Sequence, residues 1–170
     1  MRLYPGKITP IVDDILEALI PSGDVEVIDR EEAKLDLEAV LKEFIRQDRA
    51  IHEEAKDRVA REGLGYSMTH RVRQQIAKER SFPPPDETLP YILEQLLNML
   101  FHSVNIEEIY ADDVTLRTKI TKILRTHMDV ESELDREVRS RIKNLAEGTS
   151  AFEVEYERVL AEMKRKRRLS

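Results

Sequence analysis

Asp48 and His52 lie four residues apart, and so do His127 and Glu131. On a helix that spacing puts the two members of each pair on one face. An acid beside an imidazole can fix or relay a proton, or with further donors hold a divalent metal. A shift of 79 residues superposes the two pairs, with acid and imidazole exchanged. Asp48 and His127 then become polar interruptions of two otherwise apolar helical seams. If those helices pack antiparallel about a local two-fold axis, the four side chains converge. The simpler outcome is a buried Asp–His hydrogen bond, a polar layer that fixes helix register. The sharper one is a metal or proton-transfer site.

A second group is the basic cluster Lys164, Arg165, Lys166, Arg167 and Arg168, five of the 28 basic residues of a chain with net charge -6. The first 163 residues keep 23 basic against all 34 acidic residues, a balance of -11. The body therefore repels a phosphate backbone, and only the tail attracts one, without reading sequence. A structural role competes with this. Phe152, Tyr156, Val159, Leu160 and Met163 make one apolar helical face, and the cluster begins where that face ends. Cations at a helix C-terminus are favoured by its dipole.

Other chemistries find no support. The chain has no cysteine, which removes disulfides, thiolate metal sites and a cysteine nucleophile. None of His52, His70, His102 and His127 stands in E-x-x-H or H-E-x-x-H. "GLGYSM" at 63–68 follows a helical pattern, not a strand, so its glycines are those of a helix end. No catalytic residue and no cofactor are nominated, and an enzyme is not expected.

The elements that must position these residues are helices. Only 5% of the residues are aromatic and 36% are charged, the palette of long helices with solvated faces. Thr9 and Pro10 suggest the start of a first helix, and "PSGD" at 21–24 its end. Asp29 and Glu32 cap a long helix over about 30–62, closed by Gly63. A shorter helix runs from Thr69 to Arg80. A helix at about 89–102 precedes a second long one over 112–146, ended by Gly148, and Ser150 with Glu153 opens the last helix. Short extended segments fall at 25–28 and 104–110. The fold class is all-α, and the proline run at 83–85 marks a linker, giving units 1–80 and 89–170 joined by 81–88.

The two units look like duplicates. Shifting by 79 lays Leu37 on Leu116, Leu41 on Ile120, Ile45 on Leu124, Ile51 on Val130 and Ala55 on Leu134. Shifting by 80 lays Leu16 on Leu96 and Leu19 on Met99. Each long helix carries a seam at alternating steps of four and three, positions 37 to 55 and 116 to 134, which suits packing of the two long helices in coiled-coil fashion.

The segments "MRLYPGKI", "NIEEIYADD" and "SRIKNLAEGTSAFEVEYERVLAEMKRKR" resemble the bacterial family catalogued as domain of unknown function 507. The resemblance spans essentially the whole chain, and "EGTSAFEVEYERV" is its most specific part. It implies a small, cytosolic, helical bacterial protein and brings no activity, cofactor or catalytic residue. The residues themselves favour a non-enzymatic helical interaction or scaffold protein whose partner is another protein or a second copy. The alternative is a nucleic-acid-associated protein bound non-specifically through the tail. No stretch of the sequence is apolar enough to span a membrane, and a cytoplasmic location is expected.

Overall fold

The computed structural model describes residues 2–167, and of residues 131 and 132 the backbone alone. Helices α1 (Ile8–Leu19), α2 (Arg30–Arg61), α3 (Thr69–Glu79), α4 (Thr88–His102), α5 (Asp113–Met128), α6 (Val130–Arg141) and α7 (Ser150–Lys166) make up most of it. Strands β1 (Val25–Val27) and β2 (Ile106–Ile109) pair antiparallel, with Val25 opposite Ile109 and Glu26 opposite Glu108. They are the only strands among the described residues, so the fold is all-α with one small ribbon.

Helix α2 is continuous over 32 residues, about 48 Å at 1.5 Å per residue. Its ends are specified locally. The Asp29 side chain accepts the Glu32 backbone N–H at 3.2 Å, with Glu31 and Glu32 in the first turn and Arg58 and Arg61 in the last. At the far end Gly63 turns left-handed at φ 67°, and the Leu64 N–H closes on the Val59 carbonyl at 2.9 Å. Four acid-before-base pairs run along the helices, Glu38–Lys42, Glu54–Arg58, Asp135–Arg139 and Glu137–Arg141, at 3.1–3.6 Å, with Glu38 itself buried.

Helix α3 ends by the same device with a different residue. The Phe82 N–H donates to the Ala77 carbonyl at 2.8 Å and the Ser81 N–H to that of Lys78 at 3.2 Å. Ser81 occupies the left-handed position at φ 55°, where glycine is the usual occupant. A Cβ there costs about 1 kcal/mol, so Ser81→Gly should raise stability by roughly that amount in urea denaturation. An unchanged or lower midpoint would mean that the serine relieves the strain in another way.

Three apolar clusters organise the helices. The largest takes Leu16 and Leu19 from α1, Leu37 and Leu41 from α2, Leu96 and Leu100 from α4, and Leu116 and Ile120 from α5. The central core thus draws on both halves of the chain. A second cluster joins Ile51, Ala55 and Val59 of α2 to Val72 and Ile76 of α3. A third joins Val130, Leu134 and Val138 of α6 to Phe152, Val159 and Met163 of α7, with Tyr4 inserted from the N-terminal segment.

The long helices do not form a coiled-coil pair. Helices α2 and α5 each pack on both α1 and α4, which lie between them. The expected seams are nonetheless the buried stripes: Leu37, Leu41, Ile51 and Ala55 on one, Leu116, Ile120, Val130 and Leu134 on the other. Their partners are the short helices, because a stripe of this width is filled as well by a short helix as by a long one.

The expected helix 112–146 is in fact two, broken at Asp129 (φ -88°, ψ 42°) and ended at Arg141. Met128 is buried in the central core and Val130 in the α6–α7 core. The break thus falls between the last residue of the central core and the first of the α6–α7 core. Residues further on turn before α7, and Gly148 (φ 82°) precedes that helix without closing α6.

Two starts are displaced. Helix α1 begins at Ile8, after a short 3-10 turn at Pro5–Lys7, so Pro10 is its third residue and not its first. This is tolerated because the N–H groups of the first turn have no partner within the helix. Helix α7 is capped by Thr149, whose hydroxyl accepts the Phe152 N–H at 3.2 Å; Ser150 is already inside. Both residues can cap, and Thr149 has the extended backbone a cap needs.

Candidate functional site

The structure does not bring Asp48 to His127. Asp48 is bonded by the Arg73 guanidinium from α3, and His127 Nε2 lies 2.6 Å from Asp14 Oδ2 of α1. The long helices do not face each other, and each seam position meets the short helix laid over it, α3 at Asp48 and α1 at His127. His52 is exposed, and the Glu131 side chain lies outside the described residues. Among the described residues, no group of three or more His, Cys, Asp or Glu is placed to hold a metal ion.

The basic tail is partly committed to its own body. Arg167 reaches Glu133 at 3.1 Å and also pairs with Glu137, both on α6, while Lys166 pairs with Glu162 at 3.1 Å. Lys164 and Arg165 have no acidic partner among the described residues, and Arg168 lies outside them. Arg167 therefore helps to clamp α7 onto α6.

Shifted pKa values trace ion pairs on the helix surfaces. The Arg46 guanidinium and the Gln47 amide hold the Glu43 carboxyl down at about 2. Lys119, aided by Ser22, keeps Asp24 below the usual carboxylate range. The bond from Tyr156 to Asp135, 2.5 Å long, lowers the acid and raises the phenol. Glu43 ties one turn of α2 to the next, Asp24 ties the α1–β1 turn to α5, and Asp135 ties α6 to α7, which is structural work.

Two other features were not visible in the sequence. One is a cleft of about 560 Å³ where the N-terminal segment, α2, α3 and the proline strap at 82–85 meet. Arg2, Arg49, His52, His70 and Arg73 line it. Across the strap lies a more apolar cleft of about 690 Å³, whose walls include Pro84, Pro90 and Tyr91. The strap is no free spacer, since Phe82 is buried and stacks on Phe44 with ring centroids 5.0 Å apart.

The other feature is an apolar edge beside the ribbon. Ile28, Leu35, Phe101 and Val104 are 63, 54, 56 and 85% exposed. Hydrogen bonds gather the segments that carry them. The Ile28 N–H donates to the Asn105 carbonyl at 2.9 Å. Asp36, next to Leu35, accepts from the Ser103 hydroxyl at 2.6 Å and from the Asn105 amide at 2.9 Å. Residues 95–106 contain no Asp, Glu, Lys or Arg, in a chain of which 36% is charged. No helix among the described residues is long and apolar enough to cross a membrane.

No curated protein matches the sequence. The family described as Protein of unknown function (DUF507) matches residues 1–169, in agreement with the three sequence segments singled out above. With all but the last of its 170 residues matched, the chain belongs to that family.

Proposed function

We propose that the chain is a non-enzymatic helical interaction protein that docks another protein through the edge formed by Ile28, Leu35, Phe101 and Val104. The observation that carries this reading is the exposure of four large apolar side chains in one region. Single exposed apolar residues are ordinary on a protein surface, whereas a contiguous group marks an interaction site.

The surroundings select the partner. Glu31 and Glu32 at the start of α2, and Glu107 and Glu108 on β2, are exposed beside the edge. An acidic fringe repels nucleic acid and anionic lipid, and it would oppose itself in a symmetric pair of this chain. The matching surface is an apolar centre rimmed by Lys or Arg on a different protein.

A photo-crosslinking residue placed at position 104 tests this in cells, with position 154 on α7, also exposed, as the control. One dominant protein adduct is expected from position 104 and none from position 154. The adduct should survive nuclease and disappear in Leu35→Glu. Adducts removed by nuclease, made equally from both positions, or consisting of the chain linked to itself would overturn the proposal.

A further inference from the structure

The cleft between the N-terminal segment, α2 and α3 has an unusual balance of charge for this acidic chain. Its lining holds Arg2, Arg49 and Arg73 against Asp48 and Glu53. Both acids are engaged: Asp48 with Arg73, and Glu53 with Lys56 at 3.1 Å. Two guanidinium groups are left without a carboxylate. Arg49 has no acidic partner among the described residues, and Arg2 lies over the Tyr4 ring at 5.1 Å from its centroid. Other arginines, among them Arg61, Arg71 and Arg125, also lack an acidic partner among the described residues, so what sets Arg2 and Arg49 apart is that they line one cleft together. His52 and His70 add two imidazoles facing the same space.

The rest of the wall is apolar except for Thr88. Leu3, Phe44, Ile45, Phe82 and Pro83 form it. The volume, about 560 Å³, falls in the range of small-molecule sites, which combine apolar walls with a few placed polar groups. Guanidinium groups suit phosphate oxygens because they donate two parallel hydrogen bonds and stay charged.

We propose that this cleft binds a phosphorylated small molecule with a flat apolar body. Arg2 and Arg49 take the phosphate oxygens, His52 and His70 donate at the rim, and the Phe44–Phe82 wall covers the organic part. Asp48 holds Arg73 in place and keeps it from competing for the phosphate. This site is separate from the apolar edge beside the ribbon and does not depend on it.

The test uses the whole chain with ADP and inorganic pyrophosphate as probes, followed by NMR of the His52 and His70 ring resonances. ADP should shift both rings saturably with one site per chain. It should bind about tenfold more tightly than pyrophosphate, since burial of its base against the wall adds about 1.4 kcal/mol. Arg49→Ala and Arg2→Ala should each weaken ADP by about tenfold or more, the loss of one charge-assisted contact. Arg61→Ala, on the exposed end of α2 away from the cleft, should leave binding unchanged. Arg49 is exposed, so its variant is expected to fold, and an unaltered circular dichroism spectrum confirms that. Absence of saturable ring shifts, binding unaltered by Arg49→Ala, or pyrophosphate binding as tightly as ADP would each overturn the assignment.

Discussion

Phe82→Ala is expected to lower the free energy of unfolding by about 3–5 kcal/mol, read from urea denaturation. Phe82 is 7% exposed and belongs to the small cluster that joins α3 to the second half of α2. It stacks on Phe44 at 5.0 Å and lies 6.2 Å from the Tyr91 ring, so it ties α2, α4 and the proline strap at one point. The cluster has seven buried members, and two of them, Ala55 and Ala77, are alanines, so the small core loses its largest side chain and has only the partly buried Phe44 and Met68 beside it to relax into the space. The strap also forms the wall shared by both clefts, and its release should weaken ADP binding along with stability. A loss below about 1 kcal/mol would show that the prolines alone hold the strap.

Leu16→Ala and Leu96→Ala should each cost about 3–5 kcal/mol, and the two losses should agree to within about 1 kcal/mol. Leu16 is 1% exposed and Leu96 0%, both at the centre of the core built from α1, α2, α4 and α5. Their equality is the informative part. We propose that the two halves of the chain are duplicated units related by a local two-fold axis. Under that relation α1 corresponds to α4 and α2 to α5, and the packing pattern respects it: α1 lies on α2 and α5, α4 on α5 and α2. Ile51, Ala55 and Val59 meet α3 just as Val130, Leu134 and Val138 meet α7. A difference above about 2 kcal/mol would argue that the resemblance of the halves stops at the hydrophobic pattern.

Much of this fold was legible because it is local. The stripe positions, the Asp29 cap, the ends at Gly63 and near Arg80, and the four acid–base pairs depend on neighbours within about one helical turn. What was illegible depends on which element lies opposite which. Seam spacing says that Asp48 and His127 face inward, but not toward whom, and the answers were Arg73 and Asp14. The Asp129 break could not be read either, because the apolar helix pattern persists through it from Leu124 to Leu134. The candidate cleft gathers residues from positions 2 to 88, with no motif to connect them. The apolar edge had one faint local trace, the charge-free run at 95–106.

The joint at Asp129 makes the two ends of the molecule unequal in how they open. Helix α2 runs unbroken from the central core into the cluster under α3, so that end cannot detach without bending a rod. The α6–α7 end joins the centre through one non-helical residue and through Tyr4, which is lodged in it from the N-terminal segment. Cooperative units of this kind exchange their amides independently of the whole. Amide exchange followed by mass spectrometry should therefore show α6 and α7 exchanging ahead of α2 and α3, and faster still in Tyr4→Ala; equal rates at both ends would refute this.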